Sequence, residues 1–199
     1  RRLQRYLRVE HAQEEEQPWK PTWFEVAFGR SASAEGGGPS TPEPFVMAGS
    51  AGPVRFTGRI DRIDRDGDRV RLIDYKSGSV PAAGEITGGQ SIQLSVYAEA
   101  VERHVLPDTE CVEARYLAVG KTERREALGL AGKGKWPDRV GNMHESIARA
   151  VAGIRRGYFP PERGGKTCFG CGQVRACRHE DARIARKLGL PETDGEEGV

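Results

Sequence analysis

The stretch GRIDRIDRDGDRVRLIDYKSG, residues 58–78, constrains the fold more than any other part of the chain. Branched and long apolar residues flank Asp66-Gly67, a dipeptide that marks a tight β-hairpin. Strands disfavour aspartate, whose short side chain bonds nearby backbone, yet Asp61 and Asp74 sit inside the two runs. Residues two apart on a strand share a face, so Asp74 and Lys76 project together and Tyr75 projects oppositely. If the turn is Asp66-Gly67 alone, Asp61 falls opposite Leu72; if it takes up Asp66 to Arg69, Asp61 falls opposite Asp74. Either register sets both carboxylates on one face, and a slip of one residue separates them.

Two ionised carboxylates held that close repel, and burial in an apolar sheet raises the cost. Lys76 offsets part of it. A hard divalent cation such as Mg2+ or Mn2+, which takes oxygen ligands, would offset the rest. Such a centre activates water and withdraws charge from a phosphoryl oxygen, with Lys76 placed to stabilise the same charge; this is the chemistry of phosphodiester hydrolysis. The competing reading is a charged edge hairpin whose aspartates serve only solubility, because a D-x-K pattern recurs by chance.

The rest of the composition excludes more than it selects. A formal charge of +2 does not announce a nucleic-acid partner, so any basic surface is local. Candidate clusters are Arg59, Arg62, Arg65, Arg69 and Arg71; Lys121, Arg124 and Arg125; and Arg155 with Arg156, each equally readable as a solvated face. Arg59, Lys121 and Arg124 are the candidates for DNA contact. No apolar run approaches the roughly 20 residues of a membrane span, and the opening RRLQRYLRVEHAQEEE lacks the apolar core of a secretory signal. The expected location is therefore cytoplasmic. The opening reads as the latter part of a helix, with Leu3, Tyr6, Leu7 and Val9 near helical spacing and packing on the sheet.

Residues 22–29, TWFEVAFG, alternate as a strand; 30–45, rich in Gly, Ser and Pro, read as a flexible loop; 54–64 and 69–78 are the hairpin strands. GQSIQLSVYAEAVERHV reads as a helix with Ser91 as its cap, and 112–120 as a fourth strand. Residues 142–159 read as a helix with Ile147, Ala150, Val151 and Ile154 in one stripe.

With these residues in hand, the chain resembles the PD-(D/E)xK nuclease superfamily, in its RecB-like exonuclease branch and nearest the AddB-type helicase-nuclease subunits. GRID at 58–61 resembles the family's second motif, which implies a metal-binding role for Asp61. IDYKSG at 73–78 resembles the third, which implies metal binding by Asp74 and a catalytic role for Lys76. QLSVY resembles the Q-x-x-x-Y motif, implying that Gln93 and Tyr97, one helical turn apart, complete the site. PTWFEVAFG resembles the segment entering the first strand and makes Glu25 a candidate third acidic group. The family's histidine on the preceding helix has no match; His11 lies too near the strand and beside Glu14 to Glu16. The expected histidine therefore lies upstream of Arg1.

Cys168, Cys171 and Cys177 form C-x2-C-x5-C, a spacing that lets backbone wrap thiolates around one soft metal centre. With His179 they could complete a zinc site. The family resemblance implies instead a 4Fe-4S cluster whose fourth cysteine comes from upstream, since Cys111, at the start of a strand, reads as a core residue.

The expected architecture is α/β (α+β): a restriction-endonuclease-like core with a mixed sheet of about four or five strands flanked by helices. Residues 1–160 would form the core, 161–187 a cysteine-bearing tail, and 188–199 a disordered acidic end. The resemblance implies a Mg2+-dependent DNA exonuclease acting with a helicase domain or subunit in double-strand-break repair, associated with the nucleoid. The alternatives are a catalytically idle domain that binds DNA or a helicase partner, and an interaction module stabilised by its cysteine-bound metal.

Overall fold

The computed structural model describes residues 18–30, 38–50, 52–118 and 136–159, together with 4, 7, 8, 11, 172 and 173. Six strands are present: β1 (Lys20–Phe28), β2 (Phe45–Met47), β3 (Val54–Phe56), β4 (Gly58–Asp66), β5 (Arg69–Lys76) and β6 (Glu110–Ala118). The helices are α1 (Ala83–Thr87), α2 (Gln93–Ala100), which runs on into a π-type turn over Val101–Val105, and α3 (Trp136–Arg155). The main sheet has the order β1-β4-β5-β6, antiparallel except for the parallel pair β5 and β6, while β2 and β3 form a separate two-stranded ribbon. This is the mixed α/β architecture that the sequence implies.

The central hairpin turns on Gly67 and Asp68. Gly67 has φ +64, which glycine adopts without a Cβ penalty, and the ladder runs from Asp66↔Arg69 to Arg62↔Ile73. The turn thus sits one residue later than Asp66-Gly67, and the register is the one whose next step sets Asp61 opposite Asp74. The parallel partner of β5 requires a crossover, supplied by α1 and α2, and the register places Tyr116 beside Asp74 and Ala118 beside Lys76.

Residues 54–64, expected as one strand, divide at Thr57 into β3 and β4. Gly58 stands at the division because a Cβ there would lie 2.7 Å from Phe28 Cζ and 2.8 Å from Tyr97 Cε1. The loop after β1 is pinned where it is described: Thr41 N–H donates to Ala27 O at 2.9 Å, and Gly29 N–H reaches Glu43 O at 2.8 Å.

The core is formed by Phe28, Ile60, Ile63, Val70 and Leu72 of the sheet, Leu94, Val96 and Ala98 of α2, and Met143 and Ile147 of α3. α3 begins six residues before the expected start, and its inner ridge is Met143, Ile147 and Val151; Ala150 and Ile154, expected in the stripe, are exposed. Ser91, expected to cap α2, does not: Ile92 holds the cap position, with no side-chain bond.

In the N-terminal segment positions 4, 7, 8 and 11 are helical, and Leu7, expected to pack on the sheet, is exposed; Leu3, Tyr6 and Val9 lie outside the described residues. The chain divides by its contacts into units 1–151 and 152–199. In the second, Gly157 at φ +65 ends the helix. Its N–H donates to Ile154 O and that of Tyr158 to Gly153 O, which satisfies the last carbonyls.

Candidate active site

The ladder between β4 and β5 stops at Arg62↔Ile73, one residue short of Asp61 and Asp74. There the Asp61 side chain takes over from backbone: its Oδ2 accepts the Tyr75 N–H at 2.8 Å. Aspartate suits this position because its short carboxylate reaches a neighbouring amide. The strands are thereby held together at their ends with a carboxylate between them.

Asp74 is 4% exposed. Its Oδ1 accepts a hydrogen bond from Gln93 Nε2 at 2.8 Å. Its Oδ2 lies 2.7 Å from Lys76 Nζ, close enough for an ion contact but off the acceptor direction, so this buried oxygen makes no hydrogen bond among the described residues. Burial holds the Asp74 carboxyl above its ordinary pKa; the Lys76 ammonium draws it down and the Asp61 carboxylate pushes it up again. The neighbouring aspartates therefore interact electrostatically.

Gln93, at the first position of α2, ties the two halves of the D-x-K motif together. Its Oε1 accepts from Lys76 Nζ at 3.0 Å while its Nε2 holds Asp74. Tyr97, one turn on, has its hydroxyl 3.4 Å from Gln93 Nε2 and its ring edge-on to Phe28, with centroids 5.8 Å apart. The structure thus brings together Asp61, Asp74, Lys76, Gln93 and Tyr97.

Glu25 goes elsewhere. Its carboxylate pairs with Arg59 Nε at 2.8 Å, both side chains about half exposed, and its backbone takes φ +55, an uncommon conformation for a residue with a side chain. Arg59 is accordingly occupied by Glu25. Lys121, Arg124 and Arg125, and Cys168, Cys171, Cys177 and His179, lie outside the described residues. Cys111 is buried, and its thiol is pushed well up by burial and by Glu102, as befits a core cysteine.

Sequence reasoning missed Tyr116 and Ser91. The Lys76 ammonium lies 4.9 Å from the centroid of the Tyr116 ring, and the Tyr116 hydroxyl is 3.1 Å from Ser91 Oγ. A tyrosine in a strand carries no such signal by itself; only the parallel register of β6 against β5 puts it beside Asp74. Also unforeseen was a second polar cluster on the hairpin. Asp64, fully buried, accepts from Arg62 Nε at 2.5 Å and Arg71 Nε at 2.7 Å, and Arg62 also donates to the Tyr75 hydroxyl at 3.3 Å. Burial works against the Arg62 guanidinium, but its bonds to Asp64 and Tyr75 more than reverse this.

The family model of the PD-(D/E)XK nuclease superfamily matches residues 1–178. The chain belongs to that superfamily. This PD-(D/E)XK domain is also similar to the AddB polypeptide of the ATP-dependent helicase/deoxyribonuclease of Clostridium acetobutylicum, 37% identical over 104 residues, which is 50% of this chain and 8% of that protein. The protein of the same name in Clostridium tetani is 35% identical over 92 residues, 44% of the chain and 7% of the relative. That of Acetivibrio thermocellus is 32% identical over 88 residues, 42% and 7%. The matched stretches thus cover less than a tenth of those relatives.

In this PD-(D/E)XK domain the donor chemistry fits a hard cation. Asp61 and Asp74 supply carboxylate oxygens, and Asp74 Oδ2 is the buried acceptor left without a hydrogen bond. Among the described residues no group of three or more His, Cys, Asp and Glu side chains is gathered for a metal. Two carboxylates with backbone oxygens and water make up a set of the kind Mg2+ takes.

Proposed function

We propose that the domain is a DNA exonuclease dependent on Mg2+ or Mn2+, working with a helicase domain or subunit in double-strand-break repair. The observation that carries this reading is the Asp74 carboxylate, buried, flanked by Asp61 and Lys76, and holding one oxygen without a hydrogen bond. A buried carboxylate whose pKa is raised and whose acceptor capacity is unfilled marks a functional site better than a structural one. The family assignment and the names of the relatives support the reaction class.

When bound, a divalent cation would be held by Asp61 and Asp74 and would activate water and withdraw charge from a phosphate. Lys76 places an ammonium beside Asp74 Oδ2, where it stabilises the charge that grows on a non-bridging phosphate oxygen. Gln93 fixes both Asp74 and Lys76, and Tyr97 backs Gln93. Attack by a water oxygen on phosphorus breaks one P–O ester bond and leaves a phosphate on one fragment and a hydroxyl on the other.

Cys168, Cys171 and Cys177 are proposed to hold a 4Fe-4S cluster with a fourth cysteine from elsewhere in the protein, the buried Cys111 being unsuited; zinc with His179 is the alternative. Broad visible absorbance from protein purified without oxygen supports iron-sulfur, and a colourless, zinc-containing protein overturns it. No described helix is long and apolar enough to cross a membrane, and a cytoplasmic place at the nucleoid is proposed from the DNA reading. The nuclease reading is tested by Asp74→Ala in the full-length protein. Loss of metal-dependent DNA digestion with DNA binding retained supports it, and digestion at the wild-type rate refutes it.

A further inference from the structure

Among the described residues the Lys76 ammonium has three neighbours: Asp74 Oδ2 at 2.7 Å, Gln93 Oε1 at 3.0 Å and the Tyr116 ring at 4.9 Å from its centroid. Two of the three are oxygens of the kind a hard divalent cation competes for, and Asp74 belongs to the proposed metal site itself. An aromatic face attracts an ammonium through its quadrupole but offers no oxygen to Mg2+. The ring is therefore the neighbour of Lys76 that metal binding leaves in place.

Tyr116 is built to stay put. It is 1% exposed, its strand position is beside Asp74 in the parallel ladder, and its hydroxyl is paired with Ser91 Oγ at 3.1 Å. Ser91 lies two residues before Gln93, so the hydroxyl pair links β6 to the entry of the helix that carries Gln93. Burial pushes the Tyr116 phenol up, which keeps the ring neutral.

We infer that Tyr116 is a positioning residue for Lys76, whose ring face holds the ammonium at the scissile phosphate when a metal ion occupies the neighbouring carboxylates. This rests on the nuclease reading and assigns a part in it to a residue outside the D-x-K and Q-x-x-x-Y patterns. The ring would act in place, without touching the substrate. The hydroxyl matters less than the face, because the hydroxyl fixes the ring and the ring holds the charge.

The test uses the full-length protein and two readouts. In the first, Lys76 acylation by an N-hydroxysuccinimide ester is followed by mass spectrometry without metal, with the exposed Lys20 as internal reference. Tyr116→Met should raise Lys76 labelling severalfold and Tyr116→Phe should leave it near wild type. In the second, Tyr116→Met should lower kcat for DNA digestion about tenfold with KM little changed, and Tyr116→Phe should stay within about twofold. If Tyr116→Met does not fold, phenylalanines carrying one, two and three ring fluorines at position 116, which nearly keep the size but weaken the π face, should lower kcat in steps. Unchanged Lys76 labelling in Tyr116→Met, equal kcat losses in the Phe and Met variants, or no trend with fluorination overturns the inference. Wild-type digestion by Asp74→Ala would instead overturn the nuclease reading beneath it, so the two failures are separable.

Discussion

Two aspartates on one hairpin are both buried, and the fold treats them in opposite ways. Asp64 is saturated: Arg62 and Arg71 converge on its two oxygens, and Tyr75 receives a further bond from Arg62. Asp74 is left short: one amide holds one oxygen, and the other has an off-axis ammonium and no hydrogen bond. A buried carboxylate is stable when its acceptor sites are filled and costly when they are not. The first arrangement serves folding. The second keeps an oxygen available and stores the electrostatic cost that a bound cation would relieve.

That contrast can be broken at either end. Asp74→Ala should reduce metal-dependent digestion by roughly a thousandfold or more, because the oxygen that faces the cation is gone, while the denaturation midpoint moves little. Asp64→Ala should do the reverse. It strips two buried guanidiniums of their shared carboxylate and should cost about 3–5 kcal/mol, read by chemical denaturation. If the two variants exchanged phenotypes, the division between a structural and a functional aspartate would be wrong.

Smaller effects sharpen it. Gln93→Ala removes the clamp that spans Asp74 and Lys76 and should lower kcat by about 10- to 100-fold, a range common for residues that orient metal ligands. Gly58→Ala drives a methyl into Phe28 and Tyr97; it should cost about 1–3 kcal/mol and lower kcat as well, since Tyr97 backs Gln93. The pH test concerns Asp74→Asn in the absence of metal. Asp74 titrates above its ordinary 3.8 in the fold, so the neutral form is favoured there; its contribution to stability is full below 3.8 and is lost as pH rises through the raised value. The Asn variant, which cannot ionise, should therefore melt higher than wild type at neutral pH, with the gap closing as pH falls towards 3.8. The exposed pair Glu25–Arg59 is the control. Arg59→Ala should change stability by no more than about 0.5 kcal/mol.

Much of this was legible because local chemistry set it. Gly67 supplies the left-handed turn, and a turn fixes a register, so the approach of Asp61 to Asp74 could be read from residues 58–78 alone. The i, i+4 spacing of Gln93 and Tyr97 likewise fixes their shared helical face. What could not be read depends on contacts between distant segments. Tyr116 reaches Lys76 only through the parallel pairing of β5 with β6, for which no turn sets the register. Ser91 matches the pattern of a helix cap, but its hydroxyl is drawn to Tyr116. Glu25 matches an acidic ligand in sequence, but its φ of +55 and its pairing with Arg59 turn it to another use. Asp64 and Asp74 share a residue type, and only the arginines around the first distinguish them.

The central claim is that Asp74 Oδ2 is kept free for a cation shared with Asp61. Crystals soaked in Mn2+ and measured for anomalous scattering test it most directly. The expected result is one strong peak within coordination distance of both the Asp61 and Asp74 carboxylates, lost in Asp74→Asn crystals. A protein saturated with Mn2+ that shows no peak there, or whose peak persists in the Asn variant, contradicts the account.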